Sequence, residues 1–196
     1  TTLDVYYCSI KDLSVLRGMS LESLGIAENP VSDLSPLSGM QLKSIGMNAS
    51  YKIKDLSVLR GMPLERLSAN SIAAADYSFL EGMKLKNISL HGTSFSDLKL
   101  LAGMPLEWAD LGQTKISDIN TLAEFTTLKR LDLTLLKLNP AEVAALQAKL
   151  PNCKILWDSP PAAAASDTMP PAQKFGFEQA DFAAWATEVG RRDPET

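Results

Sequence analysis

The stretch 84–104, KLKNISLHGTSFSDLKLLAGM, is a unit that cannot fold alone, and this constrains the rest of the chain. Leu85, Ile88 and Leu90 take the spacing L-x-x-L-x-L, a small polar Thr93 follows, and Phe95, Asp97, Leu98 and Leu101 lead into a Gly103-Met104 stop. That order reads as one short strand, one turn and one curved return. A single strand and a single arc have no second layer against which to close their apolar side, so copies must stack.

The copies are present. Gly-Met recurs at Gly18-Met19, Gly39-Met40, Gly61-Met62, Gly82-Met83 and Gly103-Met104, at steps of 21 or 22 residues, a period that belongs to solenoids. One apolar column runs Leu3, Leu24, Ile45, Leu67, Ile88, Ala109, Leu131 and Cys153, and a second, two residues on, runs Val5, Ile26, Met47, Ala69, Leu90, Leu111, Leu133 and Ile155. Alternate residues of a strand share a face, so these two columns point inward. IKDLSVLRGM occurs twice, at 10–19 and 53–62, which indicates duplication of a paired unit.

From about Leu3 to Trp157 these residues resemble the leucine-rich repeat family, as in Leu64, Leu67 and Ala69 or Leu128, Leu131 and Leu133. The short period with D-L-S-x-L after the turn is similar to the bacterial, internalin-like repeats. The style of SPLSGM and GMPLERL is similar to repeats of large planctomycete-type proteins, some of which carry serine/threonine kinase domains. The resemblance implies an α/β right-handed solenoid: a horseshoe arc with a parallel sheet on the concave face, short 3-10 or extended convex segments and one C-terminal capping helix. The family's inward asparagine position holds Cys8, Asn29, Thr93, Thr114 and, off pattern, Ile72 and Leu136. An incomplete hydrogen-bonded ladder is therefore expected, with irregular third and seventh repeats.

A return of about a dozen residues is too short for a long helix with two turns, which independently favours 3-10 or extended segments. Asp12, Asp33, Asp55, Asp76, Asp97 and Asp118 open the returns, one per repeat. Stacked carboxylates raise the question of calcium, but such a site needs acids paired within one loop. Each Asp reads instead as the cap of its own turn. Asn139-Pro140 reads as an N-cap and first-turn proline opening a helix that stops before Pro151, with KILW as a last strand and Trp157 closing the C-terminal end. The first strand's edge reads as bare unless upstream sequence covers it.

Residues 1–158 form the expected repeat domain, 159–174 a proline and alanine linker, and 175–196 a helical segment read as the start of a further domain, with docking back onto the solenoid as the other reading. Cys8 and Cys153 both read as inward-facing thiols on strands about 30 Å apart along the stack, too far for a disulfide. A reducing, cytoplasmic setting is thereby favoured, while a secreted or cell-surface one stays open. No apolar run is long enough to span a bilayer. A net charge of −4 argues against a phosphate-tracking surface, so nucleic acid is not expected. Neither a cofactor nor a metal is implied, and oligomeric state is not bounded.

Function should then lie on the outward residues of the concave sheet. Glu22, Lys43, Glu65, Lys86, Glu107 and Lys129 alternate in sign and should neutralise one another. The next columns carry Arg66, Trp108 and Arg130, then Asp110 and Asp132, then His91. A tryptophan beside an arginine is the kind of anchor that dominates interfaces, so Trp108, Arg130, His91, Asp110, Asp132 and Arg66 are the expected partner-binding residues. Trp108 shielding Arg130, or packing on a flanking segment, is the structural alternative. Ser89, His91 and Asp110 mimic a hydrolase triad, but residues two apart on a strand sit nearly 7 Å apart, and the chain has no strained nucleophile elbow or phosphate loop. The reading is a noncatalytic protein-binding scaffold within a larger multidomain bacterial protein. The alternative is a regulatory or targeting segment of a kinase-type signalling enzyme whose catalytic domain lies outside this chain.

Overall fold

The computed structural model of the chain describes residues 1–158; the expected linker 159–174 and helical segment 175–196 lie outside the described residues. Strands β1 (Thr2–Asp4), β2 (Ser23–Gly25), β3 (Ser44–Gly46), β4 (Arg66–Ser68), β5 (Asn87–Ser89), β6 (Trp108–Asp110), β7 (Arg130–Asp132) and β8 (Lys154–Leu156) form one eight-stranded sheet in sequence order. Every pairing is parallel. The sequence columns are the observed register from Leu3↔Leu24 through Ala109↔Leu131. The apolar columns and the leucines of the returns make one continuous core, the sheet lining the concave side of the solenoid.

Each return is built the same way. A carboxylate accepts the backbone N–H two residues on, as Asp12 does from Ser14 at 2.7 Å and Asp55 from Ser57 at 2.8 Å, and the same bond recurs at Asp33, Asp76, Asp97 and Asp118. This starts a single 3-10 turn at Ser14–Leu16, Ser35–Leu37, Ser57–Leu59, Ser78–Leu80, Leu98–Leu101 or Asn120–Glu124. The backbone N–H and side-chain bonds hold the exposed carboxyls of Asp12, Asp55 and Asp76 below the usual range. Their stabilisation is thus present above the unfolded carboxylate pKa and lost as pH falls through the lowered one. Gly18, Gly39, Gly61, Gly82 and Gly103 end the first five turns with φ between 72° and 78°. At those glycines an added Cβ would meet nothing within 4 Å, so the requirement is backbone conformation and not space.

Six of the seven loops after β1 to β7 use the left-handed region without glycine. Tyr7, Glu28, Ala49, Ser71, Gln113 and Leu135 have φ between 51° and 60°, and Gly92 takes the seventh equivalent position. From Glu28 to Gln113 the N–H at this position donates to a carbonyl of the next coil at 2.8 to 3.0 Å, which holds side chains in a conformation otherwise costing about 1 kcal/mol. The loops of Ile72 and Leu136 share this geometry, so the third repeat is regular in its backbone, whereas the seventh is irregular further on, in its return, where a helix replaces the 3-10 turn.

The ladder itself is incomplete, as expected. Asn29 Oδ1 accepts from Cys8 N and Ile10 N at 3.0 Å each, and its Nδ2 donates to the carbonyls of Val5, Ile26 and Ala27. By contrast Thr93 and Thr114 donate only to Leu90 O and Leu111 O of their own coils. Cys8 departs from expectation. Its thiol is exposed and donates to Tyr6 O, in the loop that follows the edge strand β1 of the described sheet.

Helix α1 (Pro140–Lys149) is capped by Asn139, whose side chain accepts from Ala141 N at 2.9 Å. It buries Val143 and Leu146 and packs on the Asn120–Glu124 turn. Gln147 Nε2 then donates to Leu150 O and Cys153 O, tying the helix end to β8. Here the register shifts: Leu131 pairs with Ile155, not with a residue 22 positions on, because the helix lengthens the last coil by two residues. Trp157 packs against the core at this end.

Two measurements check this account. Gly61→Ala is expected to lower the urea-unfolding free energy by about 1 kcal/mol through backbone strain alone, whereas Gly46→Ala, whose Cβ enters open space without positive φ, is expected to be neutral or slightly stabilising. Asn29→Ala is expected to cost about 3 kcal/mol, since it strands the N–H groups of Cys8 and Ile10 and removes the donor shared by carbonyls of two coils, and Thr93→Val about 1 kcal/mol. Equal costs for the last two would reduce the amide to a single hydroxyl's worth.

Candidate functional site

The outward side chains of β4 to β8 form three rows. The first is Arg66, Asn87, Trp108, Arg130 and Lys154 in strict register. Arg66 and Lys154 are exposed, and Asn87, Trp108 and Arg130 half-buried. Trp108 therefore sits mid-row with its ring partly open to the concave space, not inside beside Leu111. The second row is Ser68, Ser89, Asp110 and Asp132, and the third is Asn48, Asn70, His91 and Thr134.

Rows two and three lock together. Asn48 Oδ1 accepts from Ser68 Oγ at 2.7 Å and from Asn70 N at 2.9 Å. One coil on, Asn70 Oδ1 accepts from Ser89 Oγ at 2.6 Å and from His91 N at 2.9 Å. The backbone donors fix both amide orientations. At the next coil the amide is replaced by His91, and Asp110 takes over: its Oδ1 accepts from Gly112 N at 3.2 Å and lies 3.3 Å from His91 Nδ1. Gly112 is required there, because a Cβ would meet His91 Nδ1 at 2.7 Å and Thr134 O at 2.9 Å. Asp132 closes the series, accepting from Thr134 N and Thr134 Oγ1 at 2.9 and 2.6 Å.

The triad geometry is absent in detail. Ser89 is 1% exposed and its hydroxyl bonds to Asn70 and Asp110, not to His91. Asp110 Oδ2 lies 3.2 Å from Ser89 Oγ, and the single serine proton can serve either this oxygen or Asn70 Oδ1 at 2.6 Å. A protonated Asp110 can donate to Ser89 where the ionised form cannot. Burial, the largest effect, pushes this carboxyl up; His91 opposes it and Asp132 adds to it. Because the folded pKa is raised, the stabilisation from Asp110 is complete below the unfolded value and lost as pH rises through the folded one.

Below the rows, the alternating edge closes on itself. Lys43–Glu22, Lys86–Glu65 and Lys129–Glu107 pair at 3.3, 2.9 and 2.6 Å, all exposed. The lysine bonds hold Glu65 and Glu107 below the usual range.

The structure thus brings Trp108, Arg130, Arg66, His91 and Asp110 onto one face, and places Asp132 there with only 7% exposure and its carboxylate engaged. Sequence reasoning missed Lys154, because the last strand reads two residues early when the 22-residue step is carried through the helix. It also missed the amide ladder of Asn48 and Asn70, whose signal was present as paired Asn and Ser columns.

Among solved structures, an internalin C2 of Listeria monocytogenes superposes with a TM-score of 0.66 at 21% identity, covering 79% of this chain and 69% of that one. A second internalin of the same organism superposes at 0.56 with 23% identity, covering 76% of this chain and 58% of that one. The fold is that of an internalin-like leucine-rich repeat solenoid. Comparison of the sequence with protein-family models and with curated proteins finds no match. No helix among the described residues is long and apolar enough to cross a membrane.

Asp110→Asn keeps an acceptor for Gly112 N–H and supplies a donor toward Ser89. Urea midpoints measured from pH 4 to 8 are expected to show the variant gaining on the parent as pH rises. A constant difference would mean that Asp110 titrates alike in both states.

Proposed function

We propose that this chain is a noncatalytic protein-interaction scaffold, one part of a larger multidomain bacterial protein, which binds a protein partner on the concave face through Trp108, Arg130, His91, Asp110 and Arg66, with Asp132 holding the adjoining loop. The observation that carries the reading is Trp108, half-exposed at the middle of a row of long polar side chains. A large indole in that setting offers apolar area that loses little side-chain entropy on binding.

The platform supports the same reading. Three-residue strands in parallel register, buried Ser68 and Ser89, and amide-to-backbone bonds between coils leave the outward side chains on a rigid base. Presenting anchors from regular structure reduces the ordering cost of association. His91, Ser89 and Asp110 fit this scaffold role, since their polar atoms hold coils together.

The test is capture by the immobilised chain from a bacterial lysate, with the retained partner then purified and titrated against the parent and Trp108→Ala. Loss of about 2 kcal/mol, roughly 30-fold in Kd, with unchanged urea unfolding is the expected result. Equal affinity of the two proteins for every retained partner sinks the concave-face assignment.

A further inference from the structure

The charges of this face narrow what the partner is made of, on the reading above that the concave row is the binding surface. Each acidic side chain of the concave face from β4 to β8 is already answered within the chain. Glu65 and Glu107 are paired with Lys86 and Lys129, Asp110 lies on Gly112 N and His91, and Asp132 is buried on Thr134. Asn48 and Asn70 spend their carbonyl oxygens on the neighbouring coil. The outermost members of the first row are different. The Arg66 guanidinium and the Lys154 ammonium are exposed and form no salt bridge with any described residue, Arg66 adding only a smaller pull to the one that Lys86 exerts on Glu65.

Arg66 and Lys154 stand two strands to either side of Trp108. At ~4.8 Å per strand each is about 10 Å from the indole position along the row. We infer that the concave face takes an acidic polypeptide segment lying across the strands, its carboxylates on Arg66 and Lys154 and an apolar side chain between them on Trp108. A carboxylate matches the fork of Arg66 and the point charge of Lys154. The indole face accepts an aliphatic or aromatic group and excludes water from the flanking ion pairs. Nucleic acid is disfavoured, since a phosphate chain needs a track of cations and the flanking edge row alternates in sign. Because both cations are exposed, their contribution lies in steering and selection and weakens with salt.

The experiment pans a random dodecapeptide library on the immobilised full chain at low salt, about 50 mM, and then measures selected peptides by fluorescence anisotropy. Selected peptides are expected to carry at least about threefold more Asp and Glu than Lys and Arg, around one aromatic or long aliphatic residue. Arg66→Glu with Lys154→Glu, a pair of exposed substitutions checked for folding by circular dichroism, is expected to weaken these peptides at least about tenfold and to invert the charge preference. Selection of neutral or basic peptides, no selection at all, binding indifferent to the double variant, or tighter binding of an oligothymidylate overturns the inference. Neutral or basic peptides that still lose affinity with Trp108→Ala leave the concave surface standing, whereas selected peptides indifferent to Trp108→Ala bring down that reading too.

Discussion

Every coil of this chain completes its core with side chains of the next, and the parallel backbone ladder enforces the match. Leu24, Ile45, Leu67, Ile88, Ala109 and Leu131 lie one above another in a single register and are at most 2% exposed. Full burial of a leucine or isoleucine is worth about 2 kcal/mol, but only if both neighbouring coils are in phase. A one-residue slip of any strand turns its inward set to solvent. The ends show what the neighbour supplies. Leu3 and Ile155, on the two edge strands, are only partly buried, and α1 spends Val143 and Leu146 covering the last turn.

The same alternation that fills the interior sets the outward rows, so core and surface are two readings of one register. Small side chains at the second row, Ser68 and Ser89, let the amides of Asn48 and Asn70 cross to the neighbouring coil and satisfy its backbone. Where the amide gives way to His91, an aspartate takes the donors, and the following coil needs Gly112 to clear the imidazole. The sheet face is therefore braced by polar bonds perpendicular to its strands. Trp108 and its cationic neighbours project from that braced surface, which links the packing of the coils to the recognition role proposed for it.

Sequence by itself determined whatever is periodic or local. The Gly-Met stops, the leucine columns and the single Asp of each return are read without coordinates, because one repeat's pattern is checked by the next and an aspartate caps an N–H two residues away. Asn139-Pro140 is legible for the same reason, and so is the alternating charge edge. Only the tertiary structure decided what depends on the adjacent coil. Tyr7, Glu28, Ala49, Ser71, Gln113 and Leu135 sit in the left-handed region with no glycine to announce it, most of them held by carbonyls of the next coil, 20 or so residues away in sequence. Cys8 turned outward through its place beside an edge strand, and Lys154 joined the Trp108 row only because α1 lengthened the last coil. The raised pKa of Asp110 likewise belongs to burial by the neighbouring coils, with His91 opposing it and Asp132 adding to it. No spacing rule carries that information, since the partners are chosen by stacking.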